Sequence, residues 1–231
     1  DEAILSYKHA ILYDPNHAES YYNMGDCLKK QGNLSEAIVA YNSALSIKPN
    51  FCEAYNNLGV ALQEQGDFNK AIDQYNKALL HNPKYVEAYN NIGNAFKYQN
   101  KFKKAIETYK KAISLKPDYA DAYNNMGVAL KDKGSFKEAI KAYNKALSIK
   151  PDYAEAYCNK GITLQKLGEF EEAKLSLGTA ISIKPNNSEN YFNIGIILQD
   201  QDKLDEAIVS YKNAILYDPN HAESYYNMGD C

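Results

Sequence analysis

Every proline in the chain falls on one register. The seven stand at Pro15, Pro49, Pro83, Pro117, Pro151, Pro185 and Pro219, each 34 residues after the last. A glycine column (Gly25, Gly59, Gly93, Gly127, Gly161, Gly195, Gly229) keeps the same interval, as do alanine columns running from Ala3 to Ala207 and from Ala10 to Ala214. A period of this length marks one supersecondary unit that cannot bury its apolar face alone and must stack on copies of itself. It confines the chain to a repeat array before any local feature is weighed.

Each period carries two helical patterns. In residues 154–185, AEAYCNKGITLQKLGEF and then EEAKLSLGTAISIKP, apolar or small residues return at three- and four-residue steps. Asn or Asp precedes an acid three residues on at Asn16/Glu19, Asn50/Glu53, Asp118/Asp121, Asp152/Glu155, Asn186/Glu189 and Asn220/Glu223, with only Lys84 breaking the series. That spacing predicts capping boxes at the start of each first helix. Gly32, Gly66, Gly134 and Gly168, with Asn100 and Asp202 in the same column, predict left-handed C-caps between the helices. The periodic proline ends each second helix, because it lacks an N–H and disfavours helix in the residue before it. The glycine and alanine columns predict close helix approach. The tyrosine column 21, 55, 89, 123, 157, 191 and 225 predicts large buried area.

Tyr123, Met126, Gly127, Leu130, Ala139, Tyr143, Ala146 and Pro151 in one unit carry a resemblance to the tetratricopeptide repeat (TPR) family, and it covers the whole chain. The chain departs in having tyrosine where many members carry tryptophan. The resemblance implies an all-α, right-handed superhelical solenoid of antiparallel helix pairs. As a single array over 1–231, residues 1–17 are the second helix of a partial repeat. Full repeats then span 18–51, 52–85, 86–119, 120–153, 154–187 and 188–221, and 222–231 start a further one.

Residues 1–27 and 205–231 differ only at Leu5/Val209 and His9/Asn213, whereas residues 35–61 match 1–27 at 11 of 27 positions. The near-identical segments are a higher-order duplication. Two origins fit: an array repeating in blocks of six units, or ends engineered to match. An unpaired second helix at one end complements an unpaired first helix at the other, which predicts head-to-tail self-association by a heterologous, non-closing contact.

No catalytic constellation emerges from His9, His17, His81 and His221, no Gly-rich phosphate loop follows a strand, and the expectation is a non-enzyme with no cofactor. Cys27, Cys52, Cys158 and Cys231 form no CxxC pair, so no metal site is expected, and isolated cysteines suit an intracellular compartment, cytoplasmic or nuclear. Net charge is −3 with Lys and Glu interspersed, which argues against nucleic acid as partner. No run reaches 18 apolar residues, which argues against a membrane span.

One column stands out. Asn23, Asn57, Asn91, Asn125, Asn159, Asn193 and Asn227 hold asparagine mid-helix in all seven copies, although asparagine is a mediocre helix former. Two readings are open: a repeated bond to a neighbouring helix, or a ladder of amides that grips the peptide groups of an extended polypeptide whatever its side chains. The column resembles the ladder in the repeat domain of the nucleocytoplasmic O-GlcNAc transferases, which implies a groove for a protein or peptide ligand. It also leaves open that this array is the substrate-recruiting region of a larger enzyme of that kind. A cochaperone-type carboxylate clamp is excluded, because the residue before each amide is never lysine and the column near the helix start is acidic, from Glu19 to Glu189. An acidic groove preferring basic peptides stays open. Positions one turn on (Asp26, Val60, Asn94, Val128, Ile162, Ile196) and beyond (Lys29, Gln63, Lys97, Lys131, Gln165, Gln199) vary, and would set side-chain preference. The fifth unit departs most, at Lys160, Lys174, Leu177 and Gly178, by drift with outward lysines or as a hinge or contact site.

Overall fold

A computed structural model describes residues 2–231. The described residues form fourteen α-helices and no strand. A leading helix, α1 (Glu2–Tyr13), is followed by six pairs: α2 (Ala18–Lys30) with α3 (Leu34–Ile47), α4 (Cys52–Glu64) with α5 (Phe68–His81), α6 (Val86–Tyr98) with α7 (Phe102–Leu115), α8 (Ala120–Asp132) with α9 (Phe136–Ile149), α10 (Ala154–Lys166) with α11 (Phe170–Ile183), and α12 (Ser188–Asp200) with α13 (Leu204–Tyr217). The helix α14 (Ala222–Gly229) comes last. The chain is all-α, a helical repeat array, in two compact units: the first ends at Pro117 and the second begins at Asp118.

The turn inside each pair is a Schellman motif, and its hydrogen bonds explain the column of Gly, Asn and Asp. Gly32 N–H donates to the Lys29 carbonyl and Asn33 N–H to the Leu28 carbonyl, both at 2.9 Å, which satisfies two carbonyls the helix would otherwise orphan. The same two bonds recur at Gly66, Asn100, Gly134, Gly168 and Asp202. The motif needs a left-handed residue, and φ is +79° at Gly32, +58° at Asn100 and +60° at Asp202. At the other end, the residue before each proline is pushed out of the helical region, as at Lys48 (φ −125°, ψ 84°) and Lys116 (φ −134°, ψ 89°). Second helices therefore stop two residues before their proline.

The helix starts differ from the expected capping boxes. The N-cap residues lie one position later, at His17, Phe51, Tyr85, Tyr119, Tyr153, Asn187 and His221. The Asn or Asp after each proline belongs to the turn, and three caps bond through their own side chains. His17 Nδ1 accepts from Ser20 N–H at 3.2 Å, His221 Nδ1 from Ser224 N–H at 3.3 Å, and Asn187 Oδ1 from Asn190 N–H at 3.1 Å. The acids still sit in the first turn, where the helix dipole favours them.

The core also departs from expectation. Tyr21, Tyr55, Tyr89, Tyr123, Tyr157 and Tyr191 are half-buried and Tyr225 is exposed. The fully buried tyrosines are those of the second helices, Tyr41, Tyr75, Tyr109, Tyr143 and Tyr211, with Leu177 at the sixth place. These rings, rather than the alanines, are what the glycine column makes room for. A Cβ at Gly59 would lie 2.5 Å from Tyr75 Cε1, and one at Gly93 would lie 2.4 Å from Tyr109 Cε1. Alanines of the second helices, such as Ala71 and Ala78, are fully buried beside them. In the fifth pair Leu177 fills the tyrosine place completely. Lys174 Nζ reaches Glu171 at 2.9 Å and Gln201 at 3.1 Å, and a Cβ at Gly178 would meet nothing within 4 Å.

Candidate functional site

The seven asparagines sit at one position of α2, α4, α6, α8, α10, α12 and α14, and all seven are half-buried. Several reach back to the preceding pair. Asn91 Nδ2 donates to Asn56 Oδ1 and Asn159 Nδ2 donates to Asn124 Oδ1, each at 3.0 Å and each across 35 residues. Asn57 Nδ2 does the same to the Tyr22 hydroxyl at 3.0 Å and to Asp26 Oδ1 at 2.8 Å. The acceptor is thus the residue before the ladder in the previous pair. Buried Asn56 and Asn124 are held in turn, Asn56 Nδ2 by Asn57 Oδ1 at 3.2 Å and Asn124 Nδ2 by Glu155 Oε1 at 3.1 Å.

Two members lose this brace for a chemical reason. The residue 35 before Asn193 is Cys158, and Asn193 Nδ2 turns to its own Glu189 carbonyl at 2.8 Å. The residue 35 before Asn227 is Phe192, and Asn227 rests against the Tyr211 hydroxyl instead. At Asn91 and Asn159 the brace takes one N–H of the amide, and the second N–H and the lone pairs of the oxygen are what a ligand could meet. Asn57 is more fully engaged, donating to both Tyr22 and Asp26 while its Oδ1 accepts from Asn56 Nδ2.

Sequence reasoning missed the use of the neighbouring variable positions. Tyr41 Oη donates to Asp26 Oδ1 and Tyr109 Oη to Asn94 Oδ1, both at 2.6 Å. Where an aliphatic residue replaces that acceptor, the glutamine one turn on serves: Tyr75 Oη donates to Gln63 Oε1 at 3.3 Å and Tyr211 Oη to Gln199 Oε1 at 2.7 Å. The buried hydroxyls need this. Burial next to Asp26 pushes the Tyr22 phenol up to about 12 and moves Tyr41 upward too, so both stay neutral donors. The signal was available as a pairing of columns, Asp26 with Lys29 and Asn94 with Lys97 against Val60 with Gln63 and Ile196 with Gln199.

One tyrosine fails the pairing. Val128 and Lys131 stand at both acceptor places of Tyr143, and among the described residues its buried hydroxyl has no hydrogen-bond partner. Thr163 Oγ1, whose own proton goes to the Asn159 carbonyl at 2.7 Å, lies beside that hydroxyl without making a well-formed bond to it. Val128→Asn supplies the acceptor that Asn94 gives Tyr109. The variant is expected to gain about 0.5–1.5 kcal/mol, read as a higher urea midpoint at unchanged m-value. An unchanged midpoint would mean that the hydroxyl is already satisfied.

The acidic column is spent on local partners where bonds are seen. Lys48 Nζ meets Glu19 Oε1 at 2.7 Å, and its ammonium holds Glu19 below the usual carboxylate range. His221 Nε2 lies 3.4 Å from Glu189 Oε1. The four cysteines are free, and burial pushes the Cys158 thiol up to about 11, which keeps it protonated and weakly nucleophilic. Among the described residues no group of three or more His, Cys, Asp or Glu side chains could hold a metal ion. No described helix is long and apolar enough to cross a membrane.

A family model described as TPR repeat matches residues 25–66, 93–134, 129–168 and 197–230. A second, described as tetratricopeptide repeat, matches 52–85 and 154–187, and a third with that description matches 6–39. No curated protein matches the chain by sequence. Among solved structures, that of MamA is 31% identical over 70% of this chain and 95% of its own, with a TM-score of 0.62. The APC/C hetero-tetramer Cut9–Hcn1 superimposes with a TM-score of 0.82 at 18% identity, over 99% of this chain, which spans 45% of that one. YrrB, described as a TPR protein with an unusual peptide-binding site, is 21% identical over 81% of this chain and 97% of its own, with a TM-score of 0.63. At those two identities the likeness is one of fold.

Proposed function

The chain belongs to the tetratricopeptide repeat family, and from that premise we propose that it is a non-catalytic scaffold that binds an extended polypeptide in a concave groove lined by its first helices. Asn23, Asn57, Asn91, Asn125, Asn159, Asn193 and Asn227 are the gripping residues. The observation that carries this reading is the brace at Asn91 and Asn159, repeated at 3.0 Å. It fixes the rotamer of an amide that is half-open to solvent, so its remaining donor and acceptor are held in place before a ligand arrives. Peptide groups recur in every ligand, so such contacts give affinity without choosing a sequence. Val60, Val128, Ile162 and Ile196 then select side chains, while Asp26 and Asn94 are already engaged by tyrosines. A catalytic domain beyond these residues would make the same groove the substrate arm of an O-GlcNAc-transferase-like enzyme. The free cysteines suit an intracellular setting, and the interspersed charges suit protein rather than nucleic-acid partners.

The test is capture of a peptide library by the chain and by its Asn91→Ala/Asn125→Ala/Asn159→Ala variant, well below the thermal midpoint of each. Capture is expected to fall by about tenfold or more. Equal capture by two folded proteins would remove the amide mechanism. An Asn56→Leu/Asn124→Leu variant cuts the braces but keeps the amides, and is expected to bind more weakly with the same sequence preference.

A second reading, head-to-tail stacking of this 231-residue chain, is favoured by one pairing. Tyr226, Gly229 and Asp230 repeat Tyr22, Gly25 and Asp26, which take Tyr41 and Asn57, and a Cβ at Gly229 meets nothing within 4 Å. Tyr7 and Asn23 of a second copy are the same residue types at the matching places. Sedimentation equilibrium of the chain and of Tyr7→Ala tests it. Concentration-dependent growth lost in the variant is expected, and a strict monomer at high concentration would count against it.

A further inference from the structure

The position that caps each first helix holds a ring in six of seven copies: His17, Phe51, Tyr85, Tyr119, Tyr153 and His221. The seventh is Asn187. The rings fill the junction with the preceding pair. Phe51 is buried against Tyr22, with centroids 4.8 Å apart, and buried His221 lies 4.9 Å from Phe192 in the same way. A lysine covers some of these rings, Lys48 Nζ at 4.5 Å from the Phe51 centroid and Lys150 Nζ at 4.6 Å from that of Tyr153. The Tyr153 hydroxyl end meets Asp121 and Asn124.

At the junction of α10 with α12 the frame is present and the ring is missing. A cavity of about 280 Å³ opens there, lined by Ala154, Glu155, Cys158, Lys184, Asn187 and Asn190. Glu155 stands where Asp121 stands one unit earlier, Cys158 where Asn124 does, and Lys184 where Lys150 does. The Asn187 side chain is used on the cap bond to Asn190 N–H. Among the described residues Lys184 has neither a ring nor a carboxylate on it. Asn190 stands in a column that holds alanine in four copies and serine in two, is 2% exposed, and its Oδ1 is buried without a partner.

We infer that this cavity is a socket for a tyrosine side chain of a bound polypeptide. The volume falls just below the roughly 300–1,000 Å³ of a site for a drug-sized molecule, which suits one side chain. A phenol meets each requirement of the lining. Its ring offers a π-face to the Lys184 ammonium, as Tyr153 does to Lys150. Its O–H is a donor for acceptors at the far end, Glu155 and the orphaned Asn190 Oδ1. A phenylalanine would leave those acceptors unmet, and a lysine or arginine would face the Lys184 charge. Cys158 and Asn190 of the lining lie one and three residues from Asn159 and Asn193 in the chain, on the same two helices as those amides. The inference rests on the polypeptide reading for the chain that delivers the tyrosine, while the socket itself is testable alone.

The probes are N-acetyl-tyrosinamide and its phenylalanine and leucine counterparts, titrated into the isotope-labelled chain and followed by two-dimensional NMR. The tyrosine probe is expected to shift the Cys158 and Asn190 amides saturably, and the leucine probe to leave them unmoved. Asn187→Tyr restores the ring found at three other copies and is expected to abolish the response. Its fold is checked by thermal midpoint, and α4, α6, α8 and α10 already start without a side-chain cap bond. Asn190→Ala keeps the cavity and is expected to weaken the tyrosine probe by roughly two- to tenfold, the worth of one hydrogen bond, without changing the phenylalanine probe. No saturable shift in the native chain, an undiminished shift in Asn187→Tyr, or equal response to all three probes would overturn the socket. The Asn91→Ala/Asn125→Ala/Asn159→Ala variant separates the two ideas: if it loses peptide capture but keeps the probe response, both stand. Peptide capture unaffected by that variant, with the probe response intact, sinks the ladder alone.

Discussion

Truncating Tyr75 to alanine is expected to cost about 3–5 kcal/mol, the range for removing a buried large aromatic. The ring is fully buried in the middle of the first unit, against the bare backbone of Gly59, and its hydroxyl is bonded to Gln63 at 3.3 Å. Stacked units are stabilised by their neighbours, so the vacated space weakens α4 with α5 and also their contacts on both sides. Urea unfolding followed by far-UV circular dichroism reads the loss. Domains of ordinary size hold only about 5–15 kcal/mol in total, so the variant should lose a large part of its stability or unfold in two steps. A cost under about 1 kcal/mol would mean that the site collapses around the gap, against the packing described here.

The second large effect has the opposite construction. Gly59→Ala adds one methyl, which would lie 2.5 Å from Tyr75 Cε1 and 2.7 Å from Cδ1. Alanine is favoured over glycine in a helix by about 1 kcal/mol, but overpacking a full core costs about 1–3 kcal/mol. Tyr75 is fully buried and bonded at its hydroxyl, so overpacking outweighs the helical preference and a net loss of about 1–2 kcal/mol is expected. Gly178→Ala is the control. Its methyl meets nothing within 4 Å, so the helical preference acts alone and the variant should gain about 0.5–1 kcal/mol. Combining Gly59→Ala with Tyr75→Ala should cost less than the two single changes added, because the methyl enters the space the ring left. Strict additivity would show that the two residues do not share that space.

What was legible in the sequence was whatever one helix or one turn decides locally. Pro49 and Pro83 end helices through their own geometry, and Gly32, Asn100 and Asp202 mark the left-handed turn through theirs. What was not legible depended on how one helix is rotated against another. Tyr55 and Tyr75 have equal claims on the core by composition, and only the facing glycine makes Tyr75 the buried one. Asn50 reads as a cap by spacing, yet the turn after proline claims it and Phe51 takes the cap position without a side-chain bond. The amide column was visible, but its partner 35 residues back was not, because that bond needs the register between successive pairs. The socket at Asn187 was hidden for the same reason: a lone asparagine among rings carries no signal until the ring positions are seen to be junction fillers.

The bond from Asn91 to Asn56 spans one unit and no more, and so does the one from Asn159 to Asn124. Each copy of the motif therefore consults only the copy before it. Genetic gain or loss of whole units leaves every surviving neighbour with a compatible neighbour, whereas a change of any other length breaks the phase of every column downstream. Arrays built this way can vary in reach through unequal recombination without new contacts having to evolve. Long near-identical stretches, such as residues 1–27 and 205–231, are the kind of template on which that recombination acts.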